Sequence, residues 1–329
     1  MESVTAKHNS RRGGKRMIAA VDIGGTKIAV GMVDSKGHLV SRAELPTAAD
    51  AGYSSALNRI ATMLRDTAAQ AGAEITGIGI GCTGPVDPVT GEIGDVNFFP
   101  HWRGTNPVRD LERIFHVSVA MENDADAAAL GEAGWGVGKS KSRLVYVTVG
   151  TGIGAGIILD GEVYRGTAGA HPEIGHHLVD LSGPRCLCGF TGCWESLAAG
   201  PAMVEWLNRN APPEYPRTDL TAKKICQLAQ EGDAWALRAI EHESRYLGLG
   251  LANLVTMFVP DIIVLGGSVM NSAALFLDGI RAVIVSSCRF VPSEKTELAL
   301  ASLGEHANLI GAARVWYHRF GSKGDLRAG

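Results

Sequence analysis

From residue 17 to 45 the chain reads MIAAVDIGGTKIAVGMVDSKGHLVSRAEL, short apolar and β-branched stretches interrupted by glycine and aspartate. That pattern predicts strands at 17–23, 27–33 and 38–45, paired as an antiparallel meander with turns at 24–25 and 35–37. From 54 to 71 the apolar period lengthens, and Leu57, Ile60, Ala61 and Leu64 share one helical face. An apolar run at 75–81 predicts a buried strand ending in GCTGPVDP. A short helix at 107–115, a strand at 117–122 and an alanine-rich helix at 125–132 follow. Three meander strands and then alternating helix and strand predict a mixed sheet covered by helices.

At Ser142 the order restarts. A strand at 144–149, the glycine turn GTGIGAG, a strand at 157–159, a turn at Asp160-Gly161 and a strand at 162–164 repeat the N-terminal series. Two copies of one architectural unit are therefore expected. Helical spacing recurs at 201–210, 221–231, 233–255 and 308–320, with a strand at 262–265 before Gly266-Gly267 and an interhelical loop at 212–216.

Length and charge narrow the class. A chain of 329 residues is long for one domain, and two are expected. It is 46% hydrophobic and 20% charged with a net charge of −3, the balance of a soluble globular protein. Such a chain has no field to attract nucleic acid or an anionic membrane. Residues 1–16 read as a flexible, basic tail without the apolar core of a signal peptide, and no apolar run reaches the ~18 residues of a membrane span. A cytoplasmic protein, homo-oligomeric as a dimer or tetramer, is expected.

The 42 glycines lie in clusters. Gly79-Ile-Gly81-Cys-Thr-Gly84 and Gly150-Thr-Gly152-Ile-Gly154-Ala155 match the loose dinucleotide pattern, but neither opens a helix, so a dinucleotide site is not expected. A phosphate cradle at a hairpin tip fits better. In DIGGTK (22–27) and VGTGIG (149–154), Gly24, Gly25, Gly150 and Gly152 would let backbone amides approach phosphate oxygens, and Thr26 and Thr151 would add hydroxyl donors. Ordinary tight turns are the alternative for either hairpin taken alone. Asp22 could hold Mg²⁺ directly or through water, and Gly266-Gly267 could let an adenine ring lie against the backbone.

Cys186, Cys188 and Cys193 form a C-x-C-x4-C array, with Gly189 and Gly192 allowing the chain to fold back. Three thiolates would fill three corners of a structural zinc site, with His176 or His177 close enough in sequence to complete it. Buried or disulfide-linked cysteines are the alternative. Asp124 ends a strand in Glu122-Asn123-Asp124, where it could be a general base for phosphoryl transfer to a hydroxyl. Either Asn123 or Asp124 could instead cap the following helix. Glu173 and Glu195 flank the cysteine array, so a metal there would fix two carboxylates suited to sugar hydroxyls. Glu195 could equally be a solvated charge at a helix N-terminus.

Assembled, these motifs resemble the ROK family of repressors, open-reading-frame proteins and sugar kinases, from about Met17 to the C-terminus. DIGGTK and VGTGIGAG resemble its two phosphate motifs, END its catalytic-Asp motif, and EIGHH with CLCGFTGCWE its zinc-and-sugar signature. The resemblance implies an α/β, actin-like ATPase (ribonuclease H-like) duplicated fold with a cleft between two domains and a zinc-bearing insert. It implies ATP, Mg²⁺ and structural Zn²⁺, with Asp124 as base. Gly84, Asn97, Asn123, Asp124, Glu173, His176 and Glu195 would contact the hexose. Asp22, Gly24, Gly25, Thr26, Lys27, Gly150, Thr151, Gly152, Gly266 and Gly267 would hold the nucleotide, and His176, Cys186, Cys188 and Cys193 the zinc.

Two departures from the family pattern stand out. Its repressors carry an N-terminal helix-turn-helix, whereas 16 polar residues precede the first strand here, so the DNA-binding branch is not expected. Residues 170–176 read AHPEIGH where glucokinase-like members read AGEIGH. The His171-Pro172 pair resembles fructokinase-like members, while the full cysteine motif resembles glucokinases and N-acetylmannosamine kinases. The expected domains are 17–126 with 309–329, and 127–308. The expected activity is ATP-dependent phosphorylation of glucose, with N-acetylmannosamine kinase, fructokinase and a non-catalytic sugar-sensing regulator as alternatives.

Overall fold

The computed structural model describes residues 15–321. β1 (Lys15–Ile23), β2 (Lys27–Val33) and β3 (Leu39–Pro46) form the antiparallel meander. α1 (Tyr53–Ala71), β4 (Ala73–Cys82), a ribbon of β5 (Val86–Asp87) and β6 (Glu92–Ile93), α2 (Pro107–Phe115) and β7 (Val119–Asn123) follow. β4 pairs parallel to β1, and β7 parallel to β4, giving the order β3-β2-β1-β4-β7.

α3 (Asp124–Trp135) leads into the second unit. There β8 (Leu144–Val149), β9 (Ile153–Leu159) and β10 (Glu162–Val163) precede α4 (Trp194–Ala198), α5 (Gly200–Asn210), α6 (Ala222–Gln230) and α7 (Ala234–Phe258). β11 (Ile262–Gly266), α8 (Leu277–Ser287), β12 (Glu297–Leu300) and α9 (Ala307–Phe320) complete it. Its sheet runs β10-β9-β8-β11-β12, with an antiparallel meander and then parallel additions. The two sheets thus repeat one topology, which fits the actin-like architecture.

Burial explains the sequence pattern. On β1, Met17, Ala19, Val21 and Ile23 pack with Ile60 and Leu64 of α1 and Leu111 of α2, while Ile18 and Ala20 pack with Ala312 and Ala313 of α9. A strand covered on both faces reads as one continuous apolar run. α9 lies on β1 and β4, α3 lies on β8 and β9, and the two helices pack on each other between the sheets. Their approach needs glycine: a Cβ on Gly131 would stand 2.9 Å from the Gly311 Cα, and one on Gly311 would stand 2.1 Å from the Ala127 carbonyl oxygen. On the outer face of the second sheet, Val145, Val147, Ile263 and Leu265 form a core with Met203, Leu247, Leu251 and Ile280.

Two expectations need correction. Lys15 and Arg16 belong to β1, so the basic tail is shorter than 1–16, and its remainder lies outside the described residues. The stretch GTGIGAG is not all turn, because β9 already begins at Ile153. Gly156 sits inside that strand because α3 presses on it; a Cβ there would meet the Ala125 carbonyl oxygen at 2.4 Å. Residues 322–329 of the expected first domain also lie outside the described residues. Among the described residues, no single helix is long and apolar enough to cross a membrane.

Candidate active site

The carboxyl ends of β1, β4 and β7 come together through register. Asp22 pairs with Gly81 and Gly81 with Glu122; one step further, Ile23 pairs with Cys82 and Cys82 with Asn123. Ligands of open α/β sheets gather beyond such ends. Asn123 is the N-cap of α3, its side chain accepting from the Ala125 amide at 2.8 Å. Asp124 is therefore the first residue of α3 rather than its cap. Its Oδ1 accepts from the same amide at 2.8 Å, and its Oδ2 accepts from the Thr83 hydroxyl at 3.0 Å. Burial holds the Asp124 acid above the ordinary carboxylate range, against the lowering effect of Thr83 and the Ala125 amide. Burial and the Asp124 charge push Asp22 up to about 7, with Lys27 pulling the other way.

A cavity of about 500 Å³ opens between the units beside Asp22. Lys27 lines it from β2, Gly266, Gly267 and Ser268 from the end of β11, and Gly304 to His306 from the loop before α9. Gly24 donates to the Lys27 carbonyl at 3.0 Å to close the first hairpin, and Thr47 holds that tip through the Gly24 and Thr26 carbonyls. Opposite, Gly150 donates to the Gly152 carbonyl at 2.9 Å, and a Cβ on Gly150 would lie 3.5 Å from the Ser268 hydroxyl at the cavity wall. Gly267 has φ +88 and its Cβ position lies 2.3 Å from the Val149 carbonyl oxygen, so no side chain fits there. Glu132 of α3, fully buried, accepts from the Leu303 amide at 2.9 Å, the Ser302 hydroxyl at 3.0 Å and the Val137 amide at 3.0 Å. It thereby fixes the loop that walls this cavity.

A second cavity, of about 430 Å³, lies on the other side of Asn123. Gly84, Asn123, Glu173, Arg103 and His171 are among its walls. Buried Phe99 and Trp102, stacked at 4.8 Å, anchor the loop that brings Arg103 there. His171 shares a 2.8 Å hydrogen bond between its Nδ1 and Asp126 Oδ2. Burial disfavours charge on this imidazole, but the Asp126 bond outweighs it and raises the His171 pKa.

The ligand atoms of His176, Cys186, Cys188 and Cys193 all lie within 4.8 Å of one another. Cys186 Sγ stands 3.5 Å from His176 Nδ1, and Cys188 Sγ 3.4 Å from Cys193 Sγ. Tetrahedral zinc with bonds of about 2.0–2.3 Å would set such atoms roughly 3.5–3.8 Å apart, so the donor set fits that ion. All six cysteines are free, which removes the disulfide alternative. Gly189 and Gly192 take φ of +97 and +81 at the reversal, and Cys186 donates to the Phe190 carbonyl at 2.7 Å. His177 points elsewhere: its Nδ1 donates to the Ile174 carbonyl at 2.6 Å and its ring packs on Trp194.

Of the sugar-contact candidates, the structure brings Gly84, Asn123 and Glu173 to one cavity, while Asp124, next to Asn123 in the chain, lines neither cavity. His176 sits with the cysteines. Glu195 stands at the second hairpin, accepting from the Ile153 amide at 2.9 Å. Asn97 is exposed on a loop whose Phe98 ring covers Gly25, and it lines neither cavity. Sequence reasoning missed Thr83, Arg103, Asp126 and His171, and also Arg165, which ion-pairs with buried Glu122. Only His171 carried a signal, as the unexplained letter in AHPEIGH.

Duplicated sheets, two glycine hairpins and a carboxylate at the strand ends define a phosphotransferase-type α/β protein. Residues 18–319 match the model of the ROK family, and the chain belongs to that family. It is 34% identical over 312 residues to a glucokinase of Streptomyces coelicolor, covering 89% of this chain and 95% of that one. It resembles the structure of a ROK family glucokinase from Streptomyces griseus in complex with glucose and AMPPNP, with a TM-score of 0.77, 32% identity and 90% and 98% coverage. The xylose repressor of Bacillus subtilis is 31% identical over 248 residues, which span 75% of this chain and 62% of the repressor.

Proposed function

We propose that the protein is an ATP-dependent hexose kinase that transfers the γ-phosphoryl group of ATP to the 6-hydroxyl of D-glucose. The reading rests on Asp124, held by Thr83 and the Ala125 amide just after the strand end whose Asn123 borders one cavity, two strands across the sheet from Asp22 in the other. A carboxylate in that place can take the hydroxyl proton while the sugar oxygen bonds to phosphorus and ADP leaves. Glu173, Asn123 and Gly84 would border the hexose. Lys27, the amides of Gly24, Gly25, Thr26, Gly150, Thr151 and Gly152, and the Gly266-Gly267 surface would hold the triphosphate and adenine. Glu195 would steady the second hairpin, and Asn97 would reach the sugar only if its loop moved.

Mg²⁺ suits the neighbouring carboxylates Asp22 and Asp124, whose charges act on each other, and would supply charge neutralisation at the phosphates. His176, Cys186, Cys188 and Cys193 would hold a structural zinc, which fixes the segment carrying Glu173 and Glu195. We place the domain division at 17–126 with 309–329 against 127–308, supported by α9 lying on the first sheet and α3 on the second. We further propose a cytoplasmic homo-oligomer that engages neither nucleic acid nor membrane, consistent with a net charge of −3 and open to sedimentation analysis.

The regulator reading has one observation behind it, the likeness to the xylose repressor. A regulator needs no general base, whereas Asp124 here is held ready by Thr83 and the Ala125 amide. A coupled ADP-release assay over glucose, mannose, fructose, N-acetylglucosamine and N-acetylmannosamine tests the proposal. Glucose-dependent turnover is expected, sugar binding without turnover would favour the regulator, and preference for another hexose would move the assignment within the family.

A further inference from the structure

We propose that His171 is a sugar-positioning residue: Asp126 fixes its ring through Nδ1, leaving Nε2 to hold a hydrogen bond with one hydroxyl of the hexose. This rests on the hexose-kinase reading of the same cavity and adds a contact to it. Asp126 is only 1% exposed, and a carboxylate can only accept, so the 2.8 Å bond makes Nδ1 the donor. That bond sets the rotation of the imidazole and leaves Nε2 for something else. Among the described residues Nε2 has no hydrogen-bond partner and is not sealed from solvent, while the residue lines the cavity beside Glu173. The histidine side chain is 11% exposed, so it opens onto that cavity rather than onto free surface.

Asp126 has no other hydrogen-bond partner, because its Oδ1 is buried and unpartnered. The bond to His171 is thus the one hydrogen bond its side chain makes among the described residues. Asp126 also lies two residues beyond Asp124 on α3. One rigid helix therefore sets both the proposed base and the imidazole, and a hydroxyl held by Nε2 would fix the sugar relative to Asp124. Pro172 restricts the backbone just after the histidine. The competing role is purely structural, with His171 merely partnering the buried Asp126.

The test compares wild type with His171→Ala, His171→Gln and Asp126→Asn, using calorimetric sugar binding and steady-state kinetics with glucose and its 2-, 3- and 4-deoxy analogues. His171→Ala should raise the Kd and KM for glucose about tenfold, the cost of a hydrogen bond to an ionisable group, with kcat falling less and the KM for ATP unchanged. One deoxy sugar should lose affinity in wild type but not in His171→Ala, while the others lose equally in both. Asp126→Asn should weaken glucose in the same direction. If His171→Ala does not fold, His171→Gln, which keeps a donor towards Asp126, carries the same comparison. Equal penalties for every deoxy sugar in wild type and variant would overturn the contact and leave the structural role. A wild type that neither binds nor phosphorylates any hexose would instead overturn the kinase reading, and the hydroxyl partner with it.

Discussion

Replacing Asp124 with asparagine tests the proposed chemistry with little change of shape. Oδ1 of the asparagine can still accept from the Ala125 amide, a bond of 2.8 Å in the native protein. Its new amide group can donate to the Thr83 hydroxyl, which rotates to accept across what is now a 3.0 Å contact. Folding and the two cavities should therefore survive, and only the proton acceptor is lost. A positioned general base contributes about 100- to 10,000-fold, so kcat should fall by that factor, a barrier increase of roughly 3–5 kcal/mol. Coupled ADP release gives kcat, and calorimetry should show glucose affinity near wild type. The pH profile supplies a second reading. Asp124 accepts a proton only when ionised, and burial raises its pKa, so wild-type kcat/KM should fall as pH drops through a value above the ordinary carboxylate range. In the variant that limb should vanish, and Asp22, relieved of its neighbour's charge, should ionise below its present value of about 7. An asparagine variant that keeps wild-type turnover would refute the assignment.

Three further outcomes follow from separate parts of the molecule. Elemental analysis should find one zinc per chain, and Cys188→Ser should lose zinc, thermal stability and glucose affinity together; wild type without zinc would refute the site. Gly267→Ala would force a methyl to 2.3 Å from the Val149 carbonyl oxygen at φ +88, a region nearly closed to side chains. It should cost about 1–3 kcal/mol and raise the KM for ATP more than that for sugar, whereas unchanged melting and ATP kinetics would mean the loop relaxes freely. Glu243 of α7 is fully buried with both carboxyl oxygens unpartnered, and burial raises its pKa well above the ordinary value. The folded state then binds a proton that the unfolded chain releases, so its contribution is present below the unfolded pKa of about 4.5 and is lost as pH rises towards the folded pKa. Glu243→Gln should melt at a higher temperature than wild type at pH 8 but not at pH 4, and an identical pH dependence of melting would refute this.

The duplication was legible because each unit repeats strand, glycine, strand in sequence, and strands covered on both faces stand out as continuous apolar runs. The cysteine array was legible because its spacing is local. What failed was everything set by distant packing. Gly154 and Gly156 read as turn residues because sequence does not distinguish a glycine needed for a bend from one needed beneath a helix. The Asp126–His171 bond joins residues 45 apart, and the Glu122–Arg165 pair spans 43, so neither leaves a periodic trace. The two-residue strands β5 and β6 are too short to show a period, yet they place Glu92 and Ile93 in the wall of the second cavity. Glu195, singled out beside the cysteine array, and Asn97, named through motif resemblance, lie outside that cavity here, because neither spacing nor a motif gives the loop geometry that aims a side chain.

The segment ENDADAAALGE, residues 122–132, shows how much of the site one stretch can set. Its polar residues each have a distinct partner: Glu122 meets Arg165, Asn123 caps the helix, Asp124 accepts from Thr83, Asp126 meets His171, and Glu132 holds residues 302–303. Its alanines are small for a matching reason. Ala125, Ala127, Ala128 and Ala129 are all at most 4% exposed, wedged where α9 and β9 press on either side of α3. The positive end of the α3 dipole lies at Asp124, which favours the ionised base that burial opposes. The same helix then reaches, eight residues on, the wall of the other cavity. The proposed base, the proposed sugar-positioning imidazole and the loop that walls the first cavity are thereby referenced to a single helix. That helix is itself seated by the α3–α9 crossing, where Gly131 and Gly311 allow the close approach.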